Sequence, residues 1–273
     1  MRLCRVTFLL AIFLVQQLFS YVDDDLDGVE DAHDKCLYTP LSDLVNEEGC
    51  SVERLWSQQS FDLTLGLSYA DTDYNTLAKT DTLTTAFALN YYHSKKLTFS
   101  LWSAYYTNSS ESYSASGLND TYASLEYLLH DDALRISLGA GVILPTYEST
   151  FMKNNTDFSM SLSLEYLLTP KTHLLASCGH TFINDTEMAG YGAFEDTSYF
   201  SLGAGYTFSE TFYMSGAYNQ SQSIYADVED IATLSLSGVY EINAEHFMTF
   251  MYARGLSESA SSNYLGLNFG YRF

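Results

Sequence analysis

The sequence predicts an all-β fold: a transmembrane, antiparallel up-and-down β-barrel of about twelve strands behind a short acidic loop segment. Two observations carry this. From Phe61 to the C-terminus apolar residues recur with a period of two rather than 3.6. The connections between these runs then alternate short and long, which a soluble sandwich has no reason to do. Composition narrows the field further. With 12 Lys+Arg against 34 Asp+Glu the net charge is -22, so a phosphate backbone would repel the chain and no nucleic-acid partner is expected. The 23 Tyr and 17 Phe exclude an acidic disordered chain.

Residues 1–20 read as a secretory signal peptide. Arg2 and Arg5 form the basic n-region, and the apolar run Phe8 to Val15 is too short to span a bilayer as a helix. Cys4 precedes this run, so a lipoprotein attachment site is not indicated. Removing the segment takes away no acid and leaves 10 basic residues against 34 acidic.

Residues 21–52 form the next unit. Counting Asp23 as position 1, acids stand at positions 1, 3, 5, 9 and 12, with Gly28 at position 6. Alternate side chains of a curled loop point inward, so Asp23, Asp25, Asp27, Asp31 and Asp34, with the carbonyl of Val29, are the candidate ligands of a hard cation. Asp34 stands where an EF-hand carries Glu, which leaves bidentate binding open. Cys36 and Cys50 lie close together in an exported, irregular segment, where a disulfide between them is expected. The run from Asp23 to Cys36, then Thr39-Pro40 and Val45 to Cys50, resembles a thrombospondin type-3 repeat. The resemblance implies Ca2+ as the metal and accommodates Asp34; Leu37 departs from it, since Pro usually follows the first Cys. A solvated acidic linker without a bound ion is the alternative. Residues 53–60 read as a linker.

The barrel itself is expected over 61–273. Phe61, Leu63, Leu65, Leu67 and Tyr69 share one face, and the pattern returns at about 82–92, 97–107, 119–129, 134–144, 157–168, 173–183, 197–208, 211–222, 230–242, 246–257 and 263–273. Tight joins are expected at 93–96, 130–133, 169–172, 209–210 and 243–245, and longer polar links near 71–81, 108–118, 145–156, 184–196, 223–229 and 258–262. Short periplasmic turns and longer outer loops would put both barrel ends, and the acidic segment, in the periplasm. The last strand runs from Tyr264 to Phe273 with Leu265, Leu267, Phe269, Tyr271 and Phe273 in one register. This resembles the C-terminal signature of Gram-negative outer-membrane barrels. It implies a bacterial outer-membrane location, lipid as a partner, and recognition of terminal Phe273 by the barrel assembly machinery.

In such a barrel the polar face lines the lumen. That face is expected to include Asn90, Asn219, Glu241 and His246, with Asp62, Glu126, Arg135, Glu165, Arg254 and Arg272 as the charged pore-lining set. Glu126 and Arg135 flank one turn and are expected to pair across it. Asp71, Asp73, Asp81, Glu111, Asp185, Glu187, Glu195, Asp196, Asp227 and Glu229 crowd the long loops, either concentrating cations or simply solvating the rim. No enzyme is expected: His173 and Ser177 are four residues apart along a strand, roughly 13 Å, beyond proton-transfer reach. The expected role is a passive channel for small cationic or neutral solutes, against a closed structural or surface-interaction barrel.

Overall fold

Alternating apolar and small polar residues cannot bury both faces in a monomer, and the chain resolves this by closing a sheet on itself. The computed structural model describes Val29, residues 33–35, Glu48, and 60–273 apart from 74–78, 112, 149–151, 188–193 and 227. Contacts divide the chain into Met1–Leu55 and Trp56–Phe273. In the first unit, the Lys35 amide donates to the Glu48 carbonyl at 2.9 Å and the two side chains form an ion pair. Of the expected metal ligands only Val29 and Asp34 are described; Asp23, Asp25, Asp27, Asp31, Cys36 and Cys50 lie outside the described residues.

The second unit is built from β1 (Ser60–Thr72), β2 (Thr80–Ser94), β3 (Leu97–Ser110), β4 (Ser114–Leu118), β5 (Thr121–His130), β6 (Leu134–Leu144), β7 (Met152–Lys153), β8 (Asp157–Thr169), β9 (Thr172–Phe182), β10 (Thr186–Glu187), β11 (Thr197–Ser209), β12 (Phe212–Ser221), β13 (Ile231–Glu241), β14 (His246–Gly255) and β15 (Asn263–Arg272). Sequential neighbours pair antiparallel, and β1 pairs with both β2 and β15, closing a twelve-strand barrel in which β4, β7 and β10 are additions. At the seam the amide of Phe61 donates to the Phe273 carbonyl at 2.8 Å and the reverse bond is 2.9 Å, with the two rings stacked.

The expected link at 108–118 is largely strand instead. Residues 105–109 of β3 pair with 114–118 of β4, because the Ser- and Tyr-rich stretch continues the alternation after its apolar residues stop. The other long links are knitted together. β7 and β10 form a two-residue ribbon between the links at 145–156 and 183–196, and a bridge joins Phe194 to Tyr225.

Burial is inverted relative to a soluble protein. Leu65, Leu67, Leu202 and Leu265 are each more than half exposed, whereas Asp62 is 5% exposed. A continuous apolar belt of this kind is a surface for lipid, and the barrel sits in a bilayer through it.

Candidate functional site

Register fixes which side chains share the interior. Asp62 pairs with Asn90 and Arg272, Asn90 with Ser100, Ser100 with Ser124, Ser124 with Gly141, and Gly141 with Ser159. This small polar set is the lumen face. Its charged members gather at the end carrying the short turns. There Asp62 accepts the Tyr92 hydroxyl at 2.8 Å and Arg272 Nε at 3.3 Å; Arg272 reaches Glu241 through both terminal nitrogens at 3.4 Å and lies over the Phe247 ring. A second group stands on β6, β8 and β9. Arg135 contacts Asp131 at 2.9 Å and Glu165 at 3.7 Å, while Glu165 meets His173 Nδ1 at 2.6 Å. Arg272 on β15 and Glu165 on β8 are six strands apart in the ring of twelve, so the two groups face each other across the lumen.

Glu126 faces the same end and is exposed. It does not meet Arg135, because its register partner is Gly139, four residues further along β6, and Arg135 turns instead to Asp131 and Glu165. Arg254 and His246 also depart from expectation. Arg254 shares the outward parity of Tyr252, opposite Leu234, and its guanidinium donates to Asn263 at 2.9 Å; His246 packs outward against Tyr271. Counting parity from the apolar residues of β14 misassigns both, since Phe247, Met251 and Ala253 are the inward residues there.

Among the described residues, the inward strand positions above this charged girdle carry no charge until Asp157 at the far rim. Hydroxyls and amides pair along the wall: Ser100 donates to Asn90 at 2.7 Å, Asn268 to Thr249 at 2.8 Å, and Ser201 to Asn219 at 2.7 Å. Among the described residues these side chains leave accessible surface on the inward face. Inward Trp102, Met251 and Tyr199 remain 37%, 38% and 39% exposed.

Two tyrosines explain how large rings leave that space open. Tyr122 of β5 lies across Gly141 of β6, and its hydroxyl sits 3.0 Å from Ser159 Oγ on β8. From the other side, Tyr199 of β11 crosses its register partner Gly179 on β9, which pairs in turn with Ser161 on the same β8. A Cβ at Gly141 would stand 2.6 Å from the Tyr122 ring, and one at Gly179 would stand 2.8 Å from both Tyr199 Cζ and the Met160 carbonyl oxygen. Glycine is required so that each ring lies flat against the wall rather than across the lumen. The sequence carries the signal, a tyrosine at inward parity beside an inward glycine, but only the register reveals the pairing.

Rim acids serve neighbouring loops. Asp120 accepts from the Tyr147 amide and Asn154 Nδ2, Asp185 from the Asn155 amide, Asp157 from the Asn184 amide and Asp196 from the Ile183 amide. His180 Nδ1 also lies 2.9 Å from Ser198 Oγ, with Asp196 3.7 Å from the other ring nitrogen. That carboxylate is beyond hydrogen-bond distance, and the Ser198 amide donates to Gln222.

The family comparison decides the kinship. Residues 48–273 match the profile of the family described as "Putative MetA-pathway of phenol degradation". The chain belongs to this family. Solved structures share the barrel. An outer membrane channel from Pseudomonas putida F1 is 11% identical with a TM-score of 0.64, covering 82% of this chain and 100% of its own. The translocator domain of the autotransporter NalP from Neisseria meningitidis is 10% identical with a TM-score of 0.52, covering 81% and 90%. The NanC porin is 11% identical with a TM-score of 0.51, covering 77% and 98%. Among curated proteins none matches the sequence. One barrel thus serves proteins described in different ways, and function has to be argued from the lumen.

Proposed function

We propose that this protein is a passive outer-membrane channel for small, uncharged solutes of aromatic character, with small cations tolerated. The observation that carries the reading is the lumen wall: free of charge above the girdle, lined by hydroxyls, and paved by tyrosine rings lying flat over glycines. A neutral solute crosses such a wall without losing a compensating charge, and ring faces favour planar apolar bodies. The family's description, which concerns phenol degradation, agrees with that chemistry.

The same reading includes cleavage of residues 1–20 on export and a periplasmic N-terminal segment. There Asp23, Asp25, Asp27, Val29, Asp31 and Asp34 would hold Ca2+ within a loop closed by Cys36 and Cys50. The Lys35 to Glu48 hydrogen bond supports the closure, since it joins backbone one residue before Cys36 to backbone two residues before Cys50. Assembly would proceed through the Phe273 strand. Swelling of proteoliposomes tests the channel: refolded protein should admit phenol and small neutral alcohols faster than acetate or benzoate. Equal exclusion of all of them would favour a closed structural barrel.

A further inference from the structure

We propose that the lumen wall beside Tyr199 is a binding subsite for a small, uncharged, planar solute bearing a hydroxyl group; the proposal rests on the channel reading and locates where the solute pauses. Four adjacent strands, β9, β11, β12 and β13, line a half-open cavity of about 270 Å³ bordered by Ser177, Tyr199, Ser201, Asn219, Thr233 and Ile231 among others. Its size lies below the roughly 300 Å³ at which pockets for drug-sized ligands begin, which suits a single ring.

Its chemistry is set by how its polar groups are already used. Ser201 Oγ donates to Asn219 Oδ1 at 2.7 Å, and Asn219 Nδ2 donates to Ser235 Oγ at 2.9 Å and Thr233 Oγ1 at 3.3 Å. Both amide hydrogens and the Ser201 hydrogen are therefore committed within the wall. What remains for a ligand is acceptor capacity on Ser201 and Asn219 and the hydroxyls of Ser177 and Thr233, which can donate as well as accept, so the fitting partner is a hydroxyl group. Tyr199 supplies the second element. Its ring lies against Gly179, yet 39% of the residue stays accessible, which leaves an aromatic face beside these groups. Ile231 adds an apolar edge.

Charge excludes the other classes. The six named lining residues are all uncharged, and the nearby Asp230 is engaged by Gln220 Nε2 at 2.9 Å. A carboxylate or phenolate would find no counter-charge and one acid close by, so burial there would cost it more than it gains.

The test uses the full chain in planar bilayers and in nanodiscs with phenol as the probe, at neutral pH where the phenolic O–H stays protonated. Phenol should lower the ion current along a saturable curve. Cyclohexanol, which has the hydroxyl without the planar ring, and toluene, which has the ring without the hydroxyl, should each act about tenfold more weakly, the scale of one lost hydrogen bond or ring contact. Tyr199→Leu and Asn219→Leu should each shift the phenol midpoint about tenfold, while outward-facing Leu65→Val should not. Ser201→Ala is the gentler second variant should Asn219→Leu fail to assemble. A linear, unsaturable response, or saturation untouched by these variants, overturns the subsite. If folded protein carries no current, the channel reading fails by itself, and equilibrium dialysis of phenol against protein-loaded and empty nanodiscs still decides the subsite by the same variants.

Discussion

Arg272 Nε lies 3.3 Å from Asp62 Oδ1 across the seam where the last strand closes on the first, and those two residues are register partners. The pair therefore joins the ends of the barrel, with Tyr92 and Glu241 completing the hydrogen bonding on either side. Arg272→Met leaves buried Asp62 with Tyr92 alone and should destabilise the barrel by about 1–3 kcal/mol, the cost of an unsatisfied buried acceptor. Adding Asp62→Asn should recover part of that loss, because the stranded charge goes with it. Urea titration of refolding, read by gel mobility of unboiled samples, gives both numbers.

The girdle at the short-turn end carries Asp62, Glu126, Asp131, Glu165 and Glu241 against Arg135 and Arg272. An acid excess there should favour cations among permeating ions. Glu126 has no ion-pair partner among the described residues, so its substitution changes the field without breaking a pair. In a salt gradient, Glu126→Gln should lower the cation preference and Glu126→Lys should lower it further. A reversal potential unmoved by both would remove the girdle from any role in selectivity.

Gly179 and Gly141 keep two rings against the wall. Gly179→Ala places a Cβ where Tyr199 Cζ lies 2.8 Å away, so the ring must swing toward the lumen. Single-channel conductance should fall, and Gly179→Ala with Tyr199→Ala should recover part of it, since the contact with the Met160 carbonyl oxygen remains. An unchanged conductance in the single variant would mean that the ring has room elsewhere.

Asp185 and Asp120 tie the long links to one another through the amides of Asn155 and Tyr147. Asp185→Ala should release the β7–β10 ribbon and speed limited proteolysis within 145–156 and 183–196, leaving the barrel strands protected. Equal cleavage in both proteins would show that the ribbon holds without that carboxylate.

Much of the barrel was legible because period-two alternation leaves a strand one choice of face once a bilayer is on the outside; Leu65 and Asp62 announce their sides. β4 and the β7–β10 ribbon were not, since Ser, Thr, Asn and Tyr outside the apolar belt pair through backbone and loop carboxylates that no hydrophobic pattern marks. The lumen was read in part. Asp62, Glu165, Arg135 and Arg272 came together as inward charges, whereas Arg254 and the Glu126–Arg135 pair did not, because the pairing of Glu126 with Gly139 and the parity of β14 are properties of register. Nothing in the sequence singles out Tyr122 and Tyr199, for the same reason: their partners lie on other strands.

Planar-bilayer recording of the refolded full chain tests the central claim most directly. Stable ohmic steps that favour cations over anions are expected, consistent with an open, hydroxyl-lined lumen above an acid-rich girdle. Protein that shows the gel mobility of a folded barrel, inserts, and stays silent at all applied potentials would contradict it.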